Sequence, residues 1–192
     1  MRICVFCGAN AGRSPAYAAA ARDLGALLAS RGIGVVYGGG NVGLMGIVAD
    51  AALAGGGEVI GVIPGALVER ELAHRGLTEL RITPSMHERK QLMHDLSDAF
   101  IALPGGFGTL DELFETLTWA QLGVHSKPMG LLDVEGFWQP LVRFIEVQVA
   151  AELVRPQYAA MLLHATSAVD LLTAFESYRP PTLTKWATRD QT

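Results

Sequence analysis

An arginine, a glutamate and the glycine-rich turn before that glutamate are the residues whose types and spacing could do chemistry. The turn, residues 105–109, lies between an apolar strand-like run, 99–103, and an amphipathic stretch that predicts a helix. Small residues there let backbone N–H groups approach an anion, and a helix start carries partial positive charge. Because the turn lacks the Lys-Ser/Thr ending of a P-loop, it predicts a phosphate site without triphosphate and magnesium chemistry.

Glu112 follows this turn and admits two roles. Thr109-x-x-Glu112 has the spacing of a capping box, which is the role that the local sequence favours. The predicted apolar stripe of the helix consists of Leu110, Leu113, Phe114, Leu117 and Ala120. Glu112 lies beside that stripe, so we expect it near the mouth of the turn, where a carboxylate can also serve a ligand.

Arg89 falls on the apolar side of another predicted helix, 84–95. A rotation of about 100° per residue puts Arg89 in the middle of the stripe formed by the apolar residues of this segment and Leu96. A buried cation needs a partner, which could be a structural carboxylate or, as the pattern favours, an anionic substrate; the side chain could also reach the surface. Lys90 lies about 100° further round and could reach the same pocket.

A second glycine run, 37–46, has Gly-x-Gly-x-x-Gly spacing between a predicted strand and helix. Its Gly39, Gly40 and Gly43 are candidates for a phosphate or ribose loop, and a tight turn that packs closely on its helix is the equal alternative. A NAD site normally has an acidic residue at the end of the next strand, but that strand, 58–63, is followed by proline. The sequence therefore disfavours a dinucleotide.

The elements that must position these residues alternate along the chain. Apolar runs of strand length, such as 3–7 and 34–37, alternate with longer amphipathic stretches such as 15–31. This rhythm predicts one doubly wound α/β domain over 1–178, with a mainly parallel sheet, helices on both faces, and a loose tail at 179–192. Ligands in such sheets lie at the carboxyl ends of the strands.

Charge and composition exclude several classes of function. A net charge of −4 gives no broad positive field for a nucleic-acid polymer. The apolar runs are shorter than the roughly 18 residues of a membrane span, and the N-terminus lacks a signal-peptide layout, so we expect a cytoplasmic protein. The histidines show no metal-ligand spacing. Cys4-x-x-Cys7 falls within the first apolar strand, which favours a buried structural role over redox chemistry.

Three segments, 37–46, 86–90 and 104–112, together resemble the LOG (LONELY GUY) family of cytokinin-activating phosphoribohydrolases, and the likeness extends from Cys7 to about Tyr178. The resemblance implies a Rossmann-like fold and hydrolysis of the N-glycosidic bond of cytokinin riboside 5′-monophosphates, and of AMP in some members. The products are the free base and ribose 5-phosphate. It also implies a homodimer and no metal or organic cofactor.

The same resemblance makes Arg89 and Glu112 the catalytic pair. It places the following residues against the substrate: Glu71, Arg89, Lys90, Gly105, Gly106, Phe107, Gly108, Thr109, Leu110, Asp111, Glu112 and Thr118. As a hypothesis, Glu112 orients the attacking water and stabilises the sugar cation, while Arg89 offsets negative charge on the departing base or anchors the nucleotide. One departure from the family is Ala9-Asn10, which replaces the serines that often follow its Cys-Gly.

Three other functions are to be distinguished. A nucleotide-binding or carrier protein that uses the same turns without turnover is the main alternative. A PLP-dependent decarboxylase, the activity that labels many relatives, needs a Schiff-base lysine, and Lys90 is the one suitable candidate among three lysines. A dinucleotide oxidoreductase ranks below the carrier because its ribose-binding acid is missing.

Overall fold

Seven parallel strands form one sheet in this computed structural model, which describes residues 1–68 and 73–181. Glu71 and the predicted tail from residue 182 onward lie outside the described residues. The strands are β1 (Arg2–Phe6), β2 (Gly34–Tyr37), β3 (Val59–Pro64), β4 (Glu79–Thr83), β5 (Ala99–Ala102), β6 (Met129–Leu132) and β7 (Leu162–Ala165). The helices are α1 (Pro15–Ser30), α2 (Gly43–Ala54), α3 (Met86–Asp95), α4 (Phe107–Gln121), α5 (Gln139–Ala150), α6 (Pro156–Ala159) and α7 (Ala168–Ser177).

Helices cover both faces of the sheet, which confirms the predicted doubly wound α/β fold. Side chains alternate along β1, so Ile3 and Val5 enter one core while Cys4 and Phe6 enter the other. The first core packs α1, α2 and α7 against the sheet, and the second packs α3, α4 and the segment that contains α5. Because both faces are buried, the central strands read as continuous apolar runs rather than alternating ones.

Local sequence signals set most of the helix boundaries. Ser14 caps α1, because its Oγ accepts a hydrogen bond of 3.2 Å from the N–H of Ala16. The chain leaves α1 through Gly32, whose φ of +66° lies in the left-handed region that favours glycine. Ser85 and Ser167 cap α3 and α7 in the same way. No helix in the described part of the chain is long and apolar enough to span a bilayer.

Several element boundaries differ from the sequence predictions. The helix predicted over 84–95 begins two residues later, at Met86, and the helix predicted after the glycine turn begins within that turn, at Phe107. The edge strand β7 (Leu162–Ala165) was not predicted, because its four residues are half-buried or exposed and do not form a clear apolar run. These shifts leave the topology intact.

The strand order, β4-β3-β2-β1-β5-β6-β7, locates the ligand cleft. The chain moves outward from β1 to one edge through β2, β3 and β4, and then returns to the other side of β1 with β5. The loops that leave β1 and β5 therefore diverge to opposite faces and open a crevice between them. In doubly wound sheets this switch point is where ligands bind.

Candidate active site

A cleft of about 410 Å³ lies at the carboxyl ends of β1 and β5. The loops that follow these strands meet at its base, where the N–H of Gly8 donates a 3.1 Å hydrogen bond to the carbonyl of Pro104. Residues predicted from the sequence that line the cleft are Arg89, Gly105, Gly106, Gly108, Thr109, Asp111 and Glu112. The structure thus brings together the arginine, the glutamate and the glycine turn.

The glycine turn starts α4 without a side-chain cap. Gly106 is the N-cap residue, and a methyl group added at Gly106 or Gly108 would meet nothing within 4 Å, so both backbones face open space. At Gly105, by contrast, a methyl group would overlap the Thr109 hydroxyl. The predicted capping box is therefore wrong: Thr109 is the third helical residue, and the start of α4 is left open towards the cleft.

Glu112 lies nearer the buried side of α4 than predicted. The residues of α4 that are buried are Thr109, Leu113, Thr116 and Ala120, whereas Phe114, which was assigned to the apolar stripe, is exposed. The buried face is rotated away from Phe114, so half-buried Glu112 stands at its edge and lines the cleft. Burial raises the pKa of the Cys4 and Cys7 thiols on and after β1, and the Glu112 carboxylate raises it further.

Arg89 is buried, as its place in the apolar stripe predicted, with 6% of its surface exposed. Its Nε donates a 3.0 Å hydrogen bond to the carbonyl of Val62 in β3, and its Nη2 donates one of 3.0 Å to the carbonyl of Gly38 after β2. Its Nη1 lies 3.7 Å from the Met86 sulfur, beside the cleft. Two backbone carbonyls therefore fix the plane of a guanidinium that borders the substrate space.

The glycines of the run 37–46 serve packing in the described structure. A methyl group at Gly38 would overlap the Arg89 Nη2, so this glycine makes room for the arginine. Gly39 and Gly43 have φ values of +78° and +58°, and Gly43 also touches the backbone of Ala9. Within the described residues Gly39, Gly40 and Gly43 do not line the cleft, whereas Leu44 and Met45, at the start of α2, do.

Within the described residues Lys90 does not itself line the cleft, and its ammonium pairs with carboxylates of α4, one of which, Asp111, does line it. Its Nζ lies 3.1 Å from Asp111 Oδ2 and 3.0 Å from Glu115 Oε1, and only 11% of its side chain is exposed. Burial acts to lower the pKa of Lys90, but the hydrogen bonds with Glu115 and Asp111 outweigh it and raise that pKa above its ordinary value. Lys90 is therefore a charged ammonium held by two carboxylates.

Comparison with known proteins identifies the family. A family profile described as "Possible lysine decarboxylase" matches residues 45–175. The chain is 51% identical over 94% of its length to the probable cytokinin riboside 5′-monophosphate phosphoribohydrolase LOGL5 of Oryza sativa subsp. japonica, of which it covers 73%. It is 49% identical over 93% of its length to the cytokinin riboside 5′-monophosphate phosphoribohydrolase LOG1 of Arabidopsis thaliana, of which it covers 84%. This chain belongs to the LOG family.

A solved structure supports the fold of this LOG-family chain. The molybdenum cofactor binding protein from Rippkaea orientalis is 24% identical, with a TM-score of 0.69 over 92% of this chain and 95% of that one. At this identity the likeness shows the shared Rossmann-like architecture and nothing of the ligand.

Several residues that the family resemblance places against substrate lie elsewhere in this LOG-family chain. The Phe107 side chain is 92% exposed, Leu110 packs into the second core, and Thr118 donates its hydroxyl to the carbonyl of Phe114 on the outer side of α4. Within the described residues these three side chains do not line the cleft, and Glu71 lies outside that part.

The sequence reasoning missed an apolar wall of the cleft. Tyr17 from α1 and Phe137 from the loop after β6 meet edge to face, with ring centroids 5.8 Å apart. Met45 and Met86 also line the cleft. Tyr17 and Phe137 are 120 residues apart in the sequence, so no local pattern connects them; the placement of β6 beside β5 brings them together.

A buried carboxylate holds the turn that carries Phe137. Asp133 accepts hydrogen bonds from the N–H of Trp138 at 2.9 Å and from the Gln139 amide at 2.9 Å, and lies 3.1 Å from His164 Nε2. Burial acts to raise the pKa of Asp133, but these hydrogen bonds hold it below its ordinary value. Asp133 therefore acts as a cap that fixes the loop between β6 and α5.

Metal-binding side chains do not converge in this LOG-family chain as far as it is described. Within residues 1–68 and 73–181, no group of three or more His, Cys, Asp or Glu side chains is arranged to hold an ion. Cys4 and Cys7 are both free and buried, in agreement with the structural role predicted for them.

Proposed function

We propose that this chain hydrolyses the N-glycosidic bond of cytokinin riboside 5′-monophosphates, and of AMP as a second substrate, to release the base and ribose 5-phosphate. The observation that carries the proposal is that Arg89 and Glu112 border one cleft at the open start of α4. Support also comes from the names of relatives about half identical over nearly the whole chain.

The 5′-phosphate is assigned to the start of α4. The N–H groups of the first turn point out of the helix, and the N-cap residue, Gly106, has no side chain with which to cap them. The open backbones at Gly106 and Gly108 give an anion close access, and the helix adds partial positive charge. Binding energy from the phosphate then positions the glycosidic bond one turn further along the helix, beside Glu112.

Glu112 and Arg89 can stabilise the two opposite charges that develop when the glycosidic bond breaks. The bond between C1′ and the base nitrogen breaks, its electron pair stays with the base, and the sugar gains oxocarbenium character. We assign Glu112 to orient and deprotonate the water that attacks C1′ and to stabilise the sugar cation. The proton taken from the water is then delivered to the base nitrogen, so the base is released in neutral form and Glu112 returns to its carboxylate. Arg89, with its plane fixed by the carbonyls of Val62 and Gly38, offsets negative charge on the base or the nucleotide.

The described residues give little support to the lysine decarboxylase activity that the family description names. A Schiff-base lysine must react as a neutral amine, and Lys90, the one candidate, is a charged ammonium paired with Asp111 and Glu115, whose hydrogen bonds raise its pKa. Lys127, which precedes β6, donates a 2.7 Å hydrogen bond to the carbonyl of His94. These placements disfavour a Schiff base at either lysine, and hydrolysis is therefore favoured over decarboxylation.

The decisive test separates the base from the nucleotide by chromatography after incubation with isopentenyladenosine 5′-monophosphate or AMP. We expect wild-type protein to release the base and ribose 5-phosphate, and Glu112→Gln and Arg89→Lys to lose this activity. Glu146→Gln on the exposed side of α5 is the matched control and should keep it. If wild-type protein binds both nucleotides and leaves them intact, the chain is a carrier and the proposal is wrong.

A homodimer and a cytoplasmic location belong to the same proposal. The support for a dimer is apolar exposure on α3 and α4 beside the cleft, where 41% of Met86, 92% of Phe107 and 36% of Phe114 are exposed. Two free thiols fit the reducing cytoplasm. Light scattering measures the oligomeric state, and cell fractionation measures the location.

A further inference from the structure

A short backbone pairing joins the glycine run 37–46 to the segment that precedes β4. Gly40 and Ala73 form an isolated antiparallel bridge. Beside it, the N–H of His74 donates a 2.9 Å hydrogen bond to the carbonyl of Gly39. A two-stranded pairing is marginally stable in water even when it is much longer, so this one needs a further anchor to hold one geometry.

The side chain of His74 provides this anchor. Only 7% of the residue is exposed, and its Nε2 lies 2.9 Å from Oδ1 of Asp50 on α2. Its Nδ1 accepts a 3.1 Å hydrogen bond from the N–H of Gly76. Because Nδ1 accepts, the neutral ring carries its proton on Nε2, which donates to Asp50. The imidazole thus clamps its own turn to the helix that follows the glycine run.

The clamped backbone adjoins both carbonyls that fix Arg89. The carbonyl of Gly38, which accepts the 3.0 Å hydrogen bond from Arg89 Nη2, is one peptide before the carbonyl that His74 holds. Gly39 also packs on Val62, since a methyl group added to Gly39 would lie 3.3 Å from the Val62 nitrogen. The carbonyl of Val62 accepts the 3.0 Å hydrogen bond from Arg89 Nε. A shift of Gly39 would therefore disturb both acceptors of the guanidinium.

We propose that His74 is a positioning residue for the catalytic arginine and acts through the carbonyls of the glycine run. Its imidazole holds the turn 73–76 on α2, and its N–H holds Gly39, so that the Gly38 carbonyl keeps the orientation that Arg89 requires. His74 does not border the cleft as far as the chain is described, so it acts without contact with the nucleotide. Without the imidazole, the short backbone pairing alone would have to keep this geometry.

The kinetic test rests on the proposed function and compares three substitutions of His74 in the full chain. For His74→Ala we expect kcat/KM for release of the base to fall about 10- to 100-fold, as for a misplaced catalytic group. His74→Gln can still donate an amide N–H to Asp50, whereas His74→Asn can only accept from Gly76 within the turn. Because the contact with α2 is the anchor, His74→Gln should retain most of kcat/KM, and His74→Asn should resemble His74→Ala.

Gly38→Ala separates an effect on Arg89 from a general loss of stability. Its added methyl would displace Arg89 Nη2 directly, and so removes the contact through which His74 is proposed to act. In the double variant the loss in kcat/KM should therefore stay near that of Gly38→Ala alone, whereas independent losses multiply.

His125→Ala is the matched control. The Nδ1 of His125 also accepts a 3.1 Å hydrogen bond from the N–H two residues later, but its Nε2 contacts the carbonyl of Thr116 on α4 rather than the glycine run. Its loss in kcat/KM should multiply with that of Gly38→Ala. A multiplied loss for His74→Ala with Gly38→Ala, or wild-type kcat/KM in a folded His74→Ala protein, would overturn the inference.

The NMR signal of the Arg89 Nε–H separates this inference from the proposed function, since it needs no turnover. Arg89→Lys identifies the signal by removing it, and the 3.0 Å hydrogen bond to the Val62 carbonyl should slow its exchange with solvent. We expect His74→Ala, with its fold checked by circular dichroism, to speed that exchange about tenfold or more. If wild-type protein hydrolyses neither nucleotide, the proposed function fails, and the exchange rate still decides whether His74 holds Arg89. An unchanged rate in a folded His74→Ala protein would refute the inference.

Discussion

A single methyl group at Gly38 should disable the site by displacing the Arg89 side chain without replacing it. The φ of Gly38 lies outside the left-handed region, so alanine suits its backbone, but the added Cβ would overlap the Arg89 Nη2. The guanidinium must then move and lose its 3.0 Å hydrogen bond to the Gly38 carbonyl. A hydrogen bond from a charged group contributes about 1.5–3 kcal/mol. If that energy holds Arg89 in its catalytic position, kcat/KM for Gly38→Ala falls about 10- to 150-fold.

Steady-state release of the base from isopentenyladenosine 5′-monophosphate measures this loss, and circular dichroism checks that the fold is retained. Gly65→Ala is the matched control, because its added methyl meets only Ile82 Cγ2 at an ordinary 3.6 Å. Wild-type kcat/KM in a folded Gly38→Ala protein would refute the reasoning, since it would mean that the position of Arg89 does not matter to turnover.

Two further predictions concern stability and assembly. Asp133→Asn should lower the free energy of unfolding by about 1–3 kcal/mol, because a buried carboxylate that holds Trp138 and Gln139 is weakened. Because the pKa of Asp133 is depressed in the folded protein, this difference in free energy of unfolding is complete above the ordinary pKa of 3.8 and disappears as pH falls through the depressed pKa. Denaturant melts of both proteins at several pH values measure it. Phe114→Asp should convert the proposed dimer to a monomer in light scattering. A monomeric wild-type protein would refute the proposed homodimer.

The burial of Arg89 could be predicted from rotation along one helix, because periodicity is a local property. The role of Glu112 could not. Thr109 has the capping-box spacing to Glu112, but the structure uses Gly106 as the N-cap, and because glycine is about as favourable a cap as threonine, local preference does not choose between the two. Placing the start of α4 two residues late misassigned the capping role. Assigning Phe114, which is exposed, to the apolar stripe turned the predicted buried face.

Contacts between elements were the other part that the sequence could not predict. The angular position of Lys90 was foreseen, but its partners depend on how α3 packs on α4, which only the sheet order fixes. The Tyr17 and Phe137 rings meet for the same reason. The alternation of strands and helices predicted a parallel sheet, but it could not predict that β5 lies beside β1. The cleft is formed by the loops that follow these two adjacent strands.

The placement of Glu112 argues for turnover over storage. In a carrier, the Glu112 carboxylate would weaken binding of a nucleotide anion at the start of α4, because both lie on the same cleft wall. Two like charges about 6 Å apart repel by about 3 kcal/mol at an effective dielectric constant of about 20. The same carboxylate is favourable once positive charge develops on the sugar. Glu112→Gln should therefore bind AMP at least as tightly as wild-type protein while it releases no base. Weaker binding in this variant would instead indicate that Glu112 serves to hold the ligand, which is what a carrier requires.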